Sequence, residues 1–303
     1  MELHFSEEVL EARERGGALV ALETSVVAQG LPYPKNLEAA RACEEAVRRA
    51  GATPAATAVI GGQIHVGLSA ESLRRLAEPD RPKLKVGSRD LAVAVARGAD
   101  GGTTVSATCE IAAAAGIQVF ATGGLGGVHR GYEEHLDVSQ DLGAIARFPV
   151  AVVCAGAKSV LDLPRTLELL ETLGVPVLGL GTHDFPAFYA RSSGLELEHA
   201  LADVDEAARV VHARLKTLGQ GGLVLALPPP AAEAMGADEV ERLIVLALDG
   251  ARREGIHGKA VTPYLLSRLA ELSGGRTLAA NVGLLVHNAR YAGALAVRLQ
   301  GQG

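Results

Sequence analysis

Tryptophan is absent from this chain, and aromatic residues make up only 3% of it. A core built here cannot rest on large rings. Ala, Val and Leu must fill it, with glycine letting backbones approach closely. Cysteine is also scarce. Cys43, Cys109 and Cys154 are an odd count with no C-x-x-C pair, and each has small or apolar neighbours. Buried free thiols in a reducing cytosol are expected rather than a disulfide framework. Positive charge is in deficit: 29 Lys and Arg stand against 35 Asp and Glu, a net charge of −6. That argues against a surface for nucleic acid or an anionic membrane. No uncharged apolar run approaches the roughly 18 residues that span a bilayer. The acidic, amphipathic N-terminus lacks the basic and apolar regions of a signal peptide. A cytoplasmic protein is expected.

What is present is apolar material in alternating patterns. Hydrophobic residues reach 48% of 303 residues, enough for a large core. Apolar runs at residues 18–22, 56–60, 64–66, 117–121, 150–154, 175–180 and 222–227 read as strands. Residues 83–87, with Lys85, and residues 188–191 are weaker strand candidates, and residues 100–104 read as a glycine turn. Helical spacing recurs at residues 7–15, 36–50, 69–77, 88–97, 106–115, 140–148, 164–173 and 203–218. Asn36, Ser69, Ser88 and Ser139 are their candidate caps. Three helices close the chain at 238–254, 263–272 and 279–299, the second capped by Thr262. The alternation predicts an α/β fold of three layers, α/β/α, around a mixed, mainly parallel sheet. Gly61-Gly62 marks a hairpin that makes part of it antiparallel. One continuous domain over residues 1–303 is expected.

Residues 120–163 organise the chain. An apolar strand breaks into four glycines, then His129, Arg130, Glu133, Glu134, His135, Asp137 and Asp141 follow closely, and a second strand delivers Lys158 just past its end. Open α/β sheets place their chemistry at such strand ends. Two familiar signatures fail. A P-loop needs glycine immediately before the lysine and six residues before it, where this chain has Ala157 and Val152. The dinucleotide fingerprint lacks its third glycine after Gly124 and Gly126. The His129, His135, Asp137 cluster fits no zinc spacing; it is either a hard-cation site or a solvated loop. Lys158 precedes a capping-box-like start at residues 159–162, so a helix field and burial should both lower its pKa. A neutral amine there can form an imine; a strand-end lysine reaching water is the plain alternative. Glu23 follows a buried strand directly and suits general-acid work, or a simple ion pair.

These residues carry a resemblance. Residues 22–34 (L-E-T-S-V-V-A-Q-G-L-P-Y-P), 61–70, 88–91, 120–142, 152–163 (V-V-C-A-G-A-K-S-V-L-D-L), 258–266 and 281–289 resemble, in order, the pseudouridine-5′-phosphate glycosidases, or indigoidine synthase A-like family. The resemblance spans essentially the whole chain. It implies a reversible, lyase-type split of pseudouridine 5′-phosphate into uracil and ribose 5-phosphate. It also implies one divalent metal, typically Mn²⁺ with Mg²⁺ possible, a homotrimer, and a fold like that of ribokinase-like sugar kinases. By match to the family, Glu23 is the proton donor, Lys158 the covalent nucleophile and Asp137 the metal ligand. Lys85, Val105, Ser139, Gln140 and Asp141 match substrate contacts, with Thr104, Thr122, His129 and Asn281 around them. Two other readings stand beside it. A sugar kinase would need a G-A-G-D-like turn that this chain lacks. A sugar-phosphate-binding regulator would need neither Lys158 nor metal.

Overall fold

The computed structural model describes residues 1–256 and 261–301. Within them eleven strands form one sheet. They are β1 (His4–Phe5), β2 (Leu19–Leu22), β3 (Thr53–Ile60), β4 (Gln63–Val66), β5 (Leu84–Val86), β6 (Gly101–Thr103), β7 (Val119–Ala121), β8 (Ala151–Cys154), β9 (Val177–Leu180), β10 (His199–Leu201) and β11 (Leu223–Ala226). The main path runs β1-β4-β3-β2-β7-β8-β11-β9-β10. Its centre, from β3 to β10, is parallel throughout. Strands β7, β8 and β11 are buried at every position, as strands covered on both faces must be.

Strand β3 is the joint of the sheet. Its first half pairs in parallel with β2, ending with Ala56 opposite Leu22. Its second half outruns β2 and pairs antiparallel with β4 and with β6. The C-terminal end of β6 therefore points back toward the end of β2, and β5, parallel to β6, comes with it. This reversal carries Lys85 and Thr104 to the ends of the central strands. Buried threonines tie the corner. Thr57 Oγ1 lies 2.8 Å from Thr103 Oγ1 and 3.1 Å from Thr108 Oγ1, and Thr24 Oγ1 donates to the Thr57 carbonyl at 2.6 Å.

Helix Arg276–Gln300 packs along β2, β7 and β8, beside Lys35–Arg49 and Val204–His212. Helix Val105–Ala114 packs on β2, β6 and β7 beside Gln140–Arg147. Its small residues let it lie close to the sheet, and all but three of its ten positions are buried. As the scarcity of rings requires, the core is mostly Ala, Val and Leu, with Phe120, Phe185 and Tyr189 its largest buried side chains. The three cysteines are buried and free. Burial pushes the Cys43 and Cys154 thiols up to about 12. No helix among the described residues is long and apolar enough to cross a membrane.

Several local expectations change. The glycine turn at residues 100–104 contains strand β6. Asn36 does not cap its helix; it sits within Lys35–Arg49 and donates through Nδ2 to the Val27 and Ala77 carbonyls at 2.7 and 2.9 Å. Residues 88–97 divide into a 3-10 turn, Ser88–Asp90, and a helix, Leu91–Ala96. Residues 188–191 form only a turn closed by a bridge between Ala187 and Ala190. Residues 258–260 and the side chains of Glu134, His135 and Thr262 lie outside the described residues.

Candidate active site

The central parallel strands end together, and their next residues build a cleft. Leu22 of β2 is in register with Ala121 of β7, so Glu23 and Thr122 emerge side by side. The Thr122 hydroxyl donates to Glu23 Oε1, and the Ser25 hydroxyl donates to Oε2. Both oxygens of the carboxylate are thus held.

The loops after β7 and β8 continue the sheet ladder, which fixes Lys158. Ala155 N donates to the Gly123 carbonyl at 2.9 Å, and Leu125 N to that of Gly156 at 3.0 Å. Lys158 N then donates to the Leu125 carbonyl at 3.0 Å. Gly156 has φ of 79°, and a Cβ there would strike the Pro186 carbonyl. Gly126 lets Ser139 and Asp141 approach, since a Cβ would strike the Ser139 hydroxyl. Among the described residues no hydrogen bond or ion pair holds the Lys158 amine, which borders the cleft. One expectation fails here. The following helix is Leu163–Thr172, capped by Asp162, whose side chain accepts from Arg165 N at 3.1 Å. Residues 159–162 are not its first turn, so the helix field expected at Lys158 is absent.

The cleft has two lobes that share Glu23, Ser25, Lys85 and Lys158. One lobe, of about 540 Å³, is walled by Val26, Gly124, Phe188, Leu266 and Leu285, with Gln29 and Asn281 as polar members. The other, of about 1140 Å³, is lined by Arg89, Thr104, Val105, His129, Asp137, Ser139, Gln140 and Asp141.

The residues anticipated from sequence converge here in different ways. Glu23, Lys85 and Lys158 border both lobes, and Asn281 the apolar one. Thr122 is buried and lines neither of these lobes; it reaches the cleft through Glu23. Asp141 faces the polar lobe, but its oxygens are engaged: Oδ1 accepts from Ser106 N at 3.0 Å and Oδ2 from Gly126 N at 2.9 Å. Ser139 caps helix Gln140–Arg147, its hydroxyl accepting from Asp141 N at 3.2 Å. Sequence reasoning missed Ser25, Gln29, Arg89 and Phe188. Ser25 had a signal, a hydroxyl two residues from a candidate acid. Phe188 had none; its φ of 62° is rare for a bulky residue and turns it into the lobe wall.

Asp137 and His129, the candidate metal site, both border the polar lobe. The Asp137 side chain is 43% exposed, and its Oδ2 lies 3.8 Å from His129 Nδ1, beyond hydrogen-bond reach. Burial lowers the pKa of His129, and the Lys158 and Lys85 charges act the same way against Asp137. The imidazole is therefore neutral near pH 7. The described residues include no group of three or more His, Cys, Asp or Glu placed to hold a metal. A lone carboxylate in an open polar cavity fits a hard divalent ion that keeps water and substrate oxygens as its other ligands. It does not fit a closed all-protein cage.

Known proteins share this architecture. The chain is 65% identical over 297 residues to a protein of Myxococcus xanthus (strain DK1622) named pseudouridine-5′-phosphate glycosidase, covering 98% of each. It is 48% identical to one of the same name from Caldanaerobacter subterraneus subsp. tengcongensis, covering 98% of this chain and 96% of the relative. Among solved structures it is similar to the prealnumycin C-glycosynthase AlnA in complex with ribulose 5-phosphate, with a TM-score of 0.90 and 39% identity, covering 99% and 97%. Residues 8–298 match the model of the indigoidine synthase A like proteins, so a cleft built by segments from both ends of the chain goes with a whole-chain likeness, and the chain belongs to the indigoidine synthase A-like family.

Proposed function

We propose that this protein reversibly cleaves the C–C glycosidic bond of pseudouridine 5′-phosphate, giving uracil and ribose 5-phosphate. The observation that carries the proposal is the meeting of Glu23 and Lys158 where the apolar lobe joins the polar one. A base would occupy the first lobe and a ribose phosphate the second, with the bond between them at the junction. The names of the relatives and the pentose phosphate of the C-glycosynthase support the same reading.

A C–C glycoside has no heteroatom leaving group that protonation alone could expel. Glu23 donates a proton to the ribose ring oxygen, and the ring opens as the uracil ring supplies electrons to C1′. The amine of Lys158, as free base, adds to C1′. The nitrogen of the adduct gives up a proton, and delivery of that proton to uracil C5 lets the C1′–C5 bond break, with its electron pair leaving on the base side. The lysine nitrogen then holds C1′ as an iminium. Water adds to it, the C–N bond breaks, and ribose 5-phosphate leaves with Lys158 restored. Ser25 and Thr122 orient the Glu23 carboxyl through their hydroxyls. Lys85, Arg89 and the start of helix Gln140–Arg147 offer positive charge and amides to the phosphate. Asp137 would hold a divalent ion, Mn²⁺ or Mg²⁺, which when bound would orient substrate oxygens through ordered water.

The finer architecture belongs to the same proposal: a single domain, with its two helix groups forming the outer layers of an α/β/α fold like that of ribokinase-like kinases. A homotrimer and a cytoplasmic location complete it, the latter in keeping with three buried free thiols. The test is the absorbance change on mixing the protein with pseudouridine 5′-phosphate and Mn²⁺, with and without chelator. Uracil release that chelator suppresses is expected. Pentose-driven ATP hydrolysis without uracil release would contradict the proposal.

A further inference from the structure

Gln29 lies in the π-helical turn Val26–Gly30, just after Glu23. Both polar atoms of its amide, Oε1 and Nε2, are buried, and neither has a hydrogen-bond partner. Nearly all buried polar groups in folded proteins are paired, so an amide with both ends unpaired has a function or a missing partner. The position supplies one. Gln29 lines the apolar lobe that also holds Glu23 and Lys158, among the hydrocarbon of Val26, Phe188 and Leu266. With Asn281 it also borders an adjoining cavity. Nothing apolar in that lobe can tell a pyrimidinedione from any flat ring of its size. Gln29 can.

We infer that Gln29 is a specificity residue that reads the base, an inference that rests on the function proposed above. In pseudouridine the sugar is attached at C5. The edge of the base remote from the reacting bond is then a C2 carbonyl flanked by two N–H groups. A carboxamide presents one acceptor beside one donor, the complement of either N–H and carbonyl pair on that edge. Turning the side chain so that its amide faces the lobe would let the two bonds satisfy both orphaned atoms of Gln29 at once. They would also fix the rotation of the ring that puts C5 toward Lys158. A site built to bond such groups rejects ligands that lack them, because its own buried polar atoms are then left unpaired.

The test runs the reaction in the synthetic direction, from uracil and ribose 5-phosphate, with the wild-type protein and with Gln29→Leu and Gln29→Met. Both variants keep the side chain's bulk and lose its amide. The expected result is a KM for uracil raised about tenfold or more, with the KM for ribose 5-phosphate changed less than about twofold. The unliganded variants should melt at or above the wild-type temperature, because two unpaired polar atoms have been replaced by hydrocarbon. Three results would overturn the inference: an unchanged KM for uracil, a parallel rise in both KM values, or melting temperatures that fall in both variants. A wild-type protein that joins no uracil to the pentose would instead overturn the proposed function, and this inference with it. That failure is seen in the unsubstituted protein and so is distinct from the other three.

Discussion

Glu23 and Thr122 stand side by side at the ends of neighbouring parallel strands, and the buried Thr122 hydroxyl donates to the Glu23 carboxylate. The contact joins residues 99 apart in sequence and depends on the register of β2 with β7. A hydrogen bond to a charged group contributes about 1.5–3 kcal/mol. Thr122→Val keeps the shape and removes the donor. Its kcat should fall roughly 10- to 100-fold, with KM nearly unchanged. Steady-state kinetics check this, and a change confined to KM would contradict it.

Asp141 is a brace. Its carboxylate accepts the amides of Ser106 and Gly126 and so ties the start of helix Val105–Ala114 to the loop after β7. Each buried donor left unpaired costs about 1–3 kcal/mol. Asp141→Ala should therefore lose roughly 2–6 kcal/mol of stability and most of its activity. Urea unfolding measures the first. A variant as stable as wild type would show that the two amides find other partners.

Stability should fall on mild acidification. Burial lowers the pKa of His65, His129 and His287 in the folded protein. Below their ordinary value of about 6.5 the unfolded chain binds protons that the folded chain refuses. The stability they contribute is whole above that pH and is lost as pH falls through it. Glu44, whose carboxyl burial pushes up, acts in the opposite sense from about pH 4.5 upward, one group against three. Melting temperatures should decline from pH 7.5 to 5.5, and His129→Gln should flatten the decline. A flat or rising profile would contradict this.

Asp137 should matter for metal and not for folding. Its carboxylate is part-exposed, and no hydrogen bond ties it to another side chain among the described residues. In Asp137→Asn the Mn²⁺ concentration for half-maximal activity should rise about tenfold or more, with the melting temperature within a degree or so of wild type. Titration of chelator-treated protein with Mn²⁺ measures the first effect, and equal titration curves would count against Asp137 as the ligand.

Much of this was legible in the sequence because the central strands are pure apolar runs, bounded by glycine and ending in chemistry. Strands β2, β7 and β8 and their exits at Glu23, Thr122 and Lys158 follow from that pattern alone. Strand β6 did not, because Gly101-Gly102-Thr103 has turn composition. Its glycines serve close approach instead: a Cβ on Gly102 would lie 2.6 Å from the Thr24 carbonyl. The helix start near Lys158 was misplaced because residues 159–162 have capping chemistry. In the fold, residues 158 and 161 bond each other in a turn, and Asp162 is the cap. Asp141 was placed at the substrate by its match to the family; only the fold shows that two backbone amides are aimed at its carboxylate. Phe188 and Gln29 reach the cleft through tertiary packing, which leaves no periodic trace.

The central claim is that Lys158 forms a covalent bond to C1′ of the pentose. Borohydride reduction in the presence of ribose 5-phosphate should add one reduced pentose phosphate to the protein. Peptide mass analysis should place it on Lys158, and Lys158→Ala should acquire none there. An unmodified Lys158, or a Lys158→Ala variant that still releases uracil at the wild-type rate, would contradict the account.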